Sequence, residues 1–201
     1  MSEIKDNYKL VTKVDDFQRL ENEGRVRVVL DGTLSYPHIV TPQQDRDDPS
    51  KPPRYNMVLL GEWESEAKEE LKKTLADVGK DFFPALKKVP NSLKDGGEKP
   101  DEKGYEGKYT ISASNGDQPK LYILRTRVTE DPEGKFYAGA KVRMVASLWK
   151  QNNKFGKRVN LSLELVQWLG DGERLGGRLP VCADDYLSDI GLDGEGHDPL
   201  A

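Results

Sequence analysis

The residues with the clearest chemical potential lie between positions 141 and 168, where cations and tryptophan alternate with aliphatic side chains. Strand alternation places Lys141, Arg143 and Trp149 on one face and the aliphatic residues on the other. Cations neutralise phosphates, and an exposed indole ring stacks on bases that are not already stacked in a duplex. The pattern therefore predicts a surface for single-stranded nucleic acid. An ordinary solvated sheet face is the alternative, and Glu164, on the same predicted face, favours it.

Further candidate binding residues of the same two types, cations and aromatics, occur in three other places. They lie in the turn QNNKFGKR, in the segment LYILRTRV and in the segment KPPRYN. Arg125 and Arg127 share the strand parity of Leu121 and Ile123, so a bulge or a half-buried strand is needed to expose both arginines. The complete set of these additional candidates is Lys154, Phe155, Lys157, Arg158, Tyr122, Arg125, Arg127, Arg54 and Tyr55.

Residues for catalysis and metal binding are scarce, with one cysteine and two histidines in the chain. Cys182 alone forms neither an internal disulfide nor a cysteine-based zinc site, and His38 and His197 are far apart in sequence. No glycine-rich phosphate-binding motif precedes a helix, and GDGERLGG is interpreted as a turn. We therefore predict no catalytic residue, no metal and no cofactor. A metal-dependent nuclease needs only carboxylates, and that alternative stays open for Asp31, Asp131 and Glu164.

The elements that must position these residues are mainly strands. Alternating and apolar runs predict strands at residues 25–31, 54–60, 109–114, 120–128, 138–150 and 158–168. Apolar residues at helical spacing predict one helix that plugs a barrel, and Gly79 is placed to end it. The helical stripe consists of Ala67, Leu71, Leu75 and Val78. Long loops are predicted at 41–53 and 90–104, so the fold class is mainly β, a small Greek-key barrel with one inserted helix.

Charge is distributed unevenly along the chain. The 31 Lys and Arg and 35 Asp and Glu residues give a net charge of -4, but no cation follows Arg178. Acidic tails and basic surfaces often share a polyanionic partner. We predict an N-terminal arm or short helix at 1–23, a binding domain at 24–178 and an acidic tail at 179–201. The tail carboxylates are Asp184, Asp185, Asp189, Asp193, Glu195 and Asp198.

The location and assembly of the protein are less constrained by its sequence. The first residues, MSEIKDNYKL, contain no apolar signal core, and no apolar run approaches the ~18 residues of a membrane helix. We therefore expect a cytoplasmic protein without a membrane partner. A homo-oligomer is compatible with the sequence, and so is an interaction module that binds no nucleic acid.

Several segments occur in an order that resembles a known family. They are GTLSYPHIVTP, KPPRYNMVLL, YEGKYTISASNGDQPKLY and DPEGKFYAGAKVRMVASLWKQNNKFGKRVNLSLELVQWLGDGERLGGR, followed by an acidic end. Their order and spacing resemble the phage-encoded single-stranded DNA-binding proteins with an OB-fold. The resemblance covers about residues 24–186.

The resemblance implies an OB-fold barrel that binds single-stranded DNA with little sequence preference. It also implies a non-enzymatic role in phage replication, recombination or repair in the host-cell cytoplasm. The acidic end resembles tails that recruit replication or recombination proteins, although such tails often end in an aromatic residue and this one ends in HDPLA. A strand-annealing recombination protein, which binds the same ligand, is the alternative.

Overall fold

The structure is a computed structural model that describes residues 7–99, 102–131 and 133–176. The described residues form a mainly β fold with one α-helix, α1, at Glu66–Phe82. The strands are β1 Lys9–Val14, β2 Phe17–Asn22, β3 Arg25–Gln43, β4 Arg54–Glu62, β5 Lys94–Asp95, β6 Lys108–Asn115, β7 Lys120–Ile123, β8 Thr126–Val128, β9 Lys141–Asn153 and β10 Gly156–Gly170.

Five of these strands close a barrel. β3 pairs with β4, β4 with β6, β6 with β10 and β10 with β9, and β9 pairs back with β3. The contact between β6 and β10 is parallel and joins Ser114 to Ser162, whereas the other four pairings are antiparallel. This Greek-key closure is that of an OB-fold. The predicted mainly β OB-fold with one inserted helix is confirmed.

The barrel interior is filled by alternate residues of the strands. On β9, Val142, Met144, Ala146 and Leu148 are buried, and the residues between them face outwards. Burying each large aliphatic side chain contributes about 1.5–3 kcal/mol to the stability of the fold. The same alternation determines which side chains of β9 face solvent or a ligand. The predicted stripe of α1 is buried against the same core and consists of Ala67, Leu71, Leu75 and Val78.

The helix begins after a capping serine and ends later than predicted. Ser65 caps it, because the Ser65 Oγ accepts a hydrogen bond from the Lys68 amide at 3.2 Å. Gly79 does not end the helix, which continues to Phe82. A Cβ at Gly79 would lie 3.1 Å from the Val89 Cβ, so the glycine provides a close approach between the helix and the following segment.

The N-terminal residues form strands, so the prediction of a short helix or loose arm is wrong for residues 9–22. β1 and β2 form a hairpin, and β2 pairs with β3 on the edge opposite β9. Phe17 is only 1% exposed and belongs to the main core. Arg19 forms an ion pair with Asp77 of α1 at 3.2 Å. The hairpin therefore packs on the barrel rather than extending from it.

The predicted strand at 120–128 is two strands joined by a tight turn. Leu124 lies between β7 and β8 with a φ of 55°, and Tyr122 pairs with Arg127 across the hairpin. This turn explains why Arg125 and Arg127 are exposed although Leu121 is buried, because the arginines do not follow the alternation of β7.

A bulge in β10 reverses its faces halfway along the strand. Leu163 pairs with Ala146 and Leu165 pairs with Val145, so Glu164 is an extra residue in the ladder. Val166 is consequently buried, and Trp168 packs against the core. Strict alternation along residues 158–168 predicts Leu165 on the apolar face and Val166 and Trp168 on the opposite face. This prediction is wrong, because alternation assumes that no residue is inserted.

The long loops contain little regular structure. Within the predicted loop at 90–104, β5 and a short 3-10 turn at Gly96–Glu98 are present. The predicted acidic tail at 179–201, with its six named carboxylates, lies outside the described residues. Among the helices of the described part of the chain, none has the length and apolar character needed to span a membrane.

Candidate nucleic-acid interface

A groove of about 430 Å³ crosses the outer face of the barrel. Its lining comes from β4, β6, β9 and β10 and includes two arginines, one tryptophan and many neutral hydrogen-bonding side chains. We call this surface the polar groove, and its polar and aromatic residues are Arg54, Asn56, Ser92, Ser112, Ser114, Trp149, Gln151, Asn153, Arg158 and Asn160.

Trp149 is the exposed aromatic residue of the polar groove. It follows the last buried residue of β9, Leu148, and strand alternation turns its ring outwards. Asn160 lies directly across the ladder on β10. The side chain is 40% exposed, so one part of the indole packs on the protein and another part is available for contact. Such a ring can stack on an unpaired base.

Arg54 and Arg158 supply the positive charge of the polar groove. Arg54 lies at the start of β4, and its Nη2 is 3.5 Å from the Ser114 Oγ. Arg158 lies near the start of β10, where the Val159 amide donates to the Pro90 carbonyl at 2.9 Å. The Arg158 Nε–H is buried and has no hydrogen-bond acceptor among the residues that the structure describes. Both guanidinium groups can therefore bind phosphate without displacing a carboxylate.

Neutral amides and hydroxyls make up most of the remaining lining. The Asn160 Nδ2 donates to the Gln151 Oε1 at 2.6 Å, and the Asn56 Nδ2 donates to the Gln43 Oε1 at 3.1 Å. Amides and hydroxyls donate and accept hydrogen bonds, and so do the edges of unpaired bases. The lining thus offers partners for bases rather than a row of charges for phosphates.

The turn between β9 and β10 adds cations and one ring at the rim. Phe155 is 75% exposed, and the Lys154 Nζ lies 5.1 Å from its ring centroid. Lys150 and Lys157 point to the other side of the hairpin, where their Nζ atoms lie 4.8 and 5.8 Å from the ring centroid of Phe83. The Phe155 amide donates to the Asn153 Oδ1 at 3.0 Å, so this part of the turn adjoins the polar groove.

Lys141 and Arg143 do not lie in the polar groove. They share the outward face of β9 with Trp149 but occupy the opposite end of the strand. Arg143 forms a bidentate ion pair with Asp31, and the Lys141 Nζ donates to the Thr33 Oγ1 at 2.9 Å. The predicted shared face of Lys141, Arg143 and Trp149 is confirmed, but the two cations lie outside the polar groove.

The remaining predicted residues are also separate from the polar groove. Tyr122 is half-buried on β7, and Arg125 and Arg127 are exposed beside the later part of β10. Tyr55 is half-buried and pairs with Asn115, on the face of β4 opposite Arg54 by strand alternation. Within the described part of the chain, none of these residues lines the polar groove.

Glu164, the acidic residue on the predicted binding face, is neutralised by a neighbour. The Arg27 Nη2 lies 2.7 Å from the Glu164 Oε2, and the Ser147 hydroxyl bonds to the same carboxylate. The Arg27 guanidinium also stacks on the ring of Tyr8 at 3.9 Å. The carboxylate therefore presents less negative charge to a ligand than the sequence suggests.

The carboxylates considered for a nuclease each have separate partners. Asp31 binds Arg143, Glu164 binds Arg27, and Asp131 accepts hydrogen bonds from the backbone amides of Lys135 and Phe136. No group of three His, Cys, Asp or Glu side chains that could hold a metal ion occurs in the described part of the chain.

Sequence reasoning missed several groove residues. Asn56 and Gln151 were not singled out, although strand alternation places Asn56 on the same face as Arg54 and Gln151 on the same face as Trp149. Amides on a strand normally indicate a solvated face, so this pattern gains meaning only when β4 and β9 are known to line one groove.

Comparison with known proteins assigns the chain to a family. The model of the single-stranded DNA-binding protein family of Enterobacter phage Enc34 matches residues 26–195. The chain belongs to this family. The match begins at the start of β3, so the N-terminal hairpin lies outside it. A comparison with curated protein sequences found no match.

Solved structures of other phage proteins have the same fold. The single-stranded DNA-binding protein of bacteriophage Enc34, solved in complex with single-stranded DNA, is 27% identical with a TM-score of 0.73, and the alignment covers 85% of this chain and 99% of that one. Another structure of the same phage protein gives 27% identity, a TM-score of 0.69 and coverages of 90% and 99%. The gp2.5 protein of bacteriophage T7 shares the fold at 14% identity, with a TM-score of 0.54 and coverages of 83% and 98%.

Proposed function

We propose that this protein binds single-stranded DNA in the polar groove. The observation that carries the proposal is that the exposed ring of Trp149 shares one groove with Arg54 and Arg158, and the other polar groups of that groove are neutral. Membership of the Enc34 family supports it, as does the relative that was solved with single-stranded DNA.

The arrangement of groups suggests how the ligand is held. One base stacks on Trp149, the two guanidinium groups bind phosphates, and amides such as Asn160 hydrogen-bond to base edges. Every base has a flat aromatic face, and an amide can donate or accept, so these contacts tolerate any sequence. A duplex already stacks and pairs its bases, so it cannot make the same contacts without melting.

The biological role that fits this activity is protection of single-stranded DNA during phage replication, recombination or repair, in the cytoplasm of the host. The acidic segment at 179–201 would then recruit replication or recombination proteins, because a polyanionic chain can bind basic surfaces of partners. We further propose that the protein acts without catalysis, as a coat on DNA that other proteins recognise.

Fluorescence anisotropy with labelled oligonucleotides tests the proposal. We expect tight binding to single-stranded DNA of mixed or uniform sequence, weaker binding to duplex DNA, and quenching of tryptophan fluorescence in the single-strand complex. An RNA oligonucleotide of the same sequence shows whether the sugar matters. Equal affinity for duplex and single strands, or no binding, would contradict the proposal.

Two further assays separate the alternatives with the same material. DNA incubated with the protein and magnesium or manganese should remain intact over hours. Cleavage that is lost when Asp131 or Glu164 is replaced would identify a nuclease instead. Faster pairing of complementary strands would identify a strand-annealing protein.

A further inference from the structure

Tyr36 is held in a backbone conformation that is unusual for its residue type. Its φ is 46°, in the left-handed region that glycine and asparagine adopt more easily than a bulky aromatic residue. The cause is a bulge in the β3–β4 ladder, where Ser35 pairs with Val58 and His38 pairs with Asn56. Two residues of β3 thus face one residue of β4, and such bulges re-aim side chains. Here the ring of Tyr36 is turned outwards and is 43% exposed.

The exposed ring is fixed and has a cation beside it. The Tyr36 hydroxyl donates to the Glu102 carboxylate, and this hydrogen bond raises the pKa of Tyr36 to about 12, so the phenol stays neutral. The Lys99 Nζ lies 5.7 Å from the ring centroid of Tyr36 and 5.5 Å from that of Tyr105. Tyr105 is itself anchored, since its hydroxyl lies 3.0 Å from the Ser35 Oγ. A preorganised ring next to an ammonium group has the chemistry of a base-stacking and phosphate-binding site.

The position of Tyr36 relates it to the polar groove. His38 lies opposite Asn56, so its side chain shares the face of β4 that lines the groove. Trp149 is on β9 and Tyr36 is on β3. These two strands pair directly, but the two residues lie beyond opposite ends of that pairing, and the path along the groove face crosses β10, β6 and β4. Four strand spacings of about 4.8 Å separate the two rings by a path on the order of 20 Å. Tyr36 lies beyond the polar groove, in a neighbouring pocket that it shares with Ser35 and His38, so the path across these strands has an exposed ring at each end.

We propose that Tyr36 is a second stacking site for the same DNA strand, with Lys99 neutralising the neighbouring phosphate. This inference rests on the proposed function, because it assigns the far end of a path that starts at Trp149. A strand must be long enough to reach both rings before Tyr36 contributes. Tyr36 is thus a determinant of the length of DNA that one protein molecule occupies.

Affinities for short and long oligothymidylates test this inference. We choose lengths of about 4 and about 12 nucleotides, within the range that one OB-fold covers. Tyr36→Asn removes the ring and suits a positive φ, so the fold should be retained. We expect it to weaken binding of the long strand by about 5- to 140-fold, the equivalent of one lost stack, and to leave the short strand unaffected. Tyr36→Phe keeps the ring and should retain most of the affinity.

The controls separate failure of this inference from failure of the proposed function. Trp149→Ala should weaken both lengths, because the short strand binds at that end beside Arg54 and Arg158. If wild-type protein binds both lengths and Tyr36→Asn binds them as well as wild type, the second site is disproved and the groove stands. An equal loss for both lengths, accompanied by a lower melting temperature, would show that Tyr36 has only a structural role. If wild-type protein binds neither strand, both proposals fail.

Discussion

Arg143 of β9 forms an ion pair with Asp31 of β3 through two charge-assisted hydrogen bonds. The Nε donates to Oδ1 at 2.7 Å, and the Nη2 donates to Oδ2 at 2.6 Å. This ion pair raises the pKa of the guanidinium further and satisfies the carboxylate. A cation engaged in this way would have to leave Asp31 before it could bind phosphate. The ion pair therefore connects β9 to β3. Arg143 differs in this respect from Arg54 and Arg158, which can bind phosphate without displacing a carboxylate.

The first prediction is that cations of the polar groove dominate the salt dependence of DNA binding. Arg54→Ala and Arg158→Ala should each reduce the slope of log K against log salt by about 0.7, the value for one lost phosphate contact on a single strand. Binding titrations at several salt concentrations measure this slope. Lys141→Ala is the matched control at the other end of β9 and should leave the slope unchanged. If Lys141→Ala reduced the slope as much as Arg158→Ala, the DNA-binding surface would extend to that end of β9.

The second prediction concerns the ring of Trp149. Trp149→Ala should weaken binding to single strands of any sequence by about 1–3 kcal/mol, because one base loses its stacking partner. Trp149→Phe retains an aromatic face and should lose less. Anisotropy titrations give the affinities, and circular dichroism confirms the fold. Unchanged affinity in a folded Trp149→Ala variant would place the binding site elsewhere.

The third prediction is a pH-dependent gain in stability on replacing Asp16. Burial, together with the nearby charges of Asp31 and Asp15, raises the pKa of the Asp16 carboxyl. When the pKa is higher in the folded state than in the unfolded state, stability falls as pH rises through the interval between the two values. Asp16→Asn removes the charge and tolerates the φ of 61° at this position. We expect a small rise in melting temperature at pH 7 that shrinks towards zero below about pH 3.9.

Melting curves of wild type and Asp16→Asn at pH 3 and pH 7 check this third prediction. The effect should be small, because the Asp16 carboxylate is only partly desolvated and solvent screens its charge. An equal gain at both pH values would show that the backbone preference of asparagine, rather than charge, is responsible.

The fourth prediction concerns the acidic segment. Deleting residues 183–201 should raise the affinity for single-stranded DNA, most strongly at low salt, because a tethered polyanion competes with DNA for cationic groups and screening is weakest there. The same deletion should abolish binding to a polymerase or helicase partner. Thermal melts of both forms serve as the control. A large drop in melting temperature without a gain in affinity would show that the segment is structural and packs through Tyr186, Leu187 and Ile190.

The sequence predicted those parts of the fold that depend on local patterns. Alternation on β9 correctly separated Met144 and Ala146 from Trp149, because a half-buried strand imposes a period of two. The bulge at Glu164 could not be predicted in this way, because the ion-pair partner of Glu164 is Arg27 of β3, which is far away in sequence. The turn at Leu124 was missed because it contains neither glycine nor proline, the usual indicators of a turn.

The candidate site divides along the same line. Trp149 and Arg158 follow from parity within one hairpin, and the structure places both in the polar groove. Asn56 joins them only through the pairing of β4 with β6, which no local pattern specifies. Strand parity placed Arg143 with Trp149. It could not reveal the ion pair with Asp31, because that partner is 112 residues away in sequence. Local reasoning finds the chemistry of single side chains, but tertiary pairing decides which of them meet.

Because β3 closes the barrel against β9, a strand that is synthesised early cannot complete its pairing until a much later strand has been synthesised. At about 5–20 residues per second, a ribosome needs many seconds to synthesise the 112 residues between Asp31 and Arg143. During that interval the apolar side of β3 has no β9 to cover it, and non-local pairings of this kind fold slowly. The nascent chain therefore cannot complete its barrel until the hairpin of β9 and β10 emerges. Its dependence on chaperones and its tendency to aggregate should be greatest just before that hairpin is synthesised.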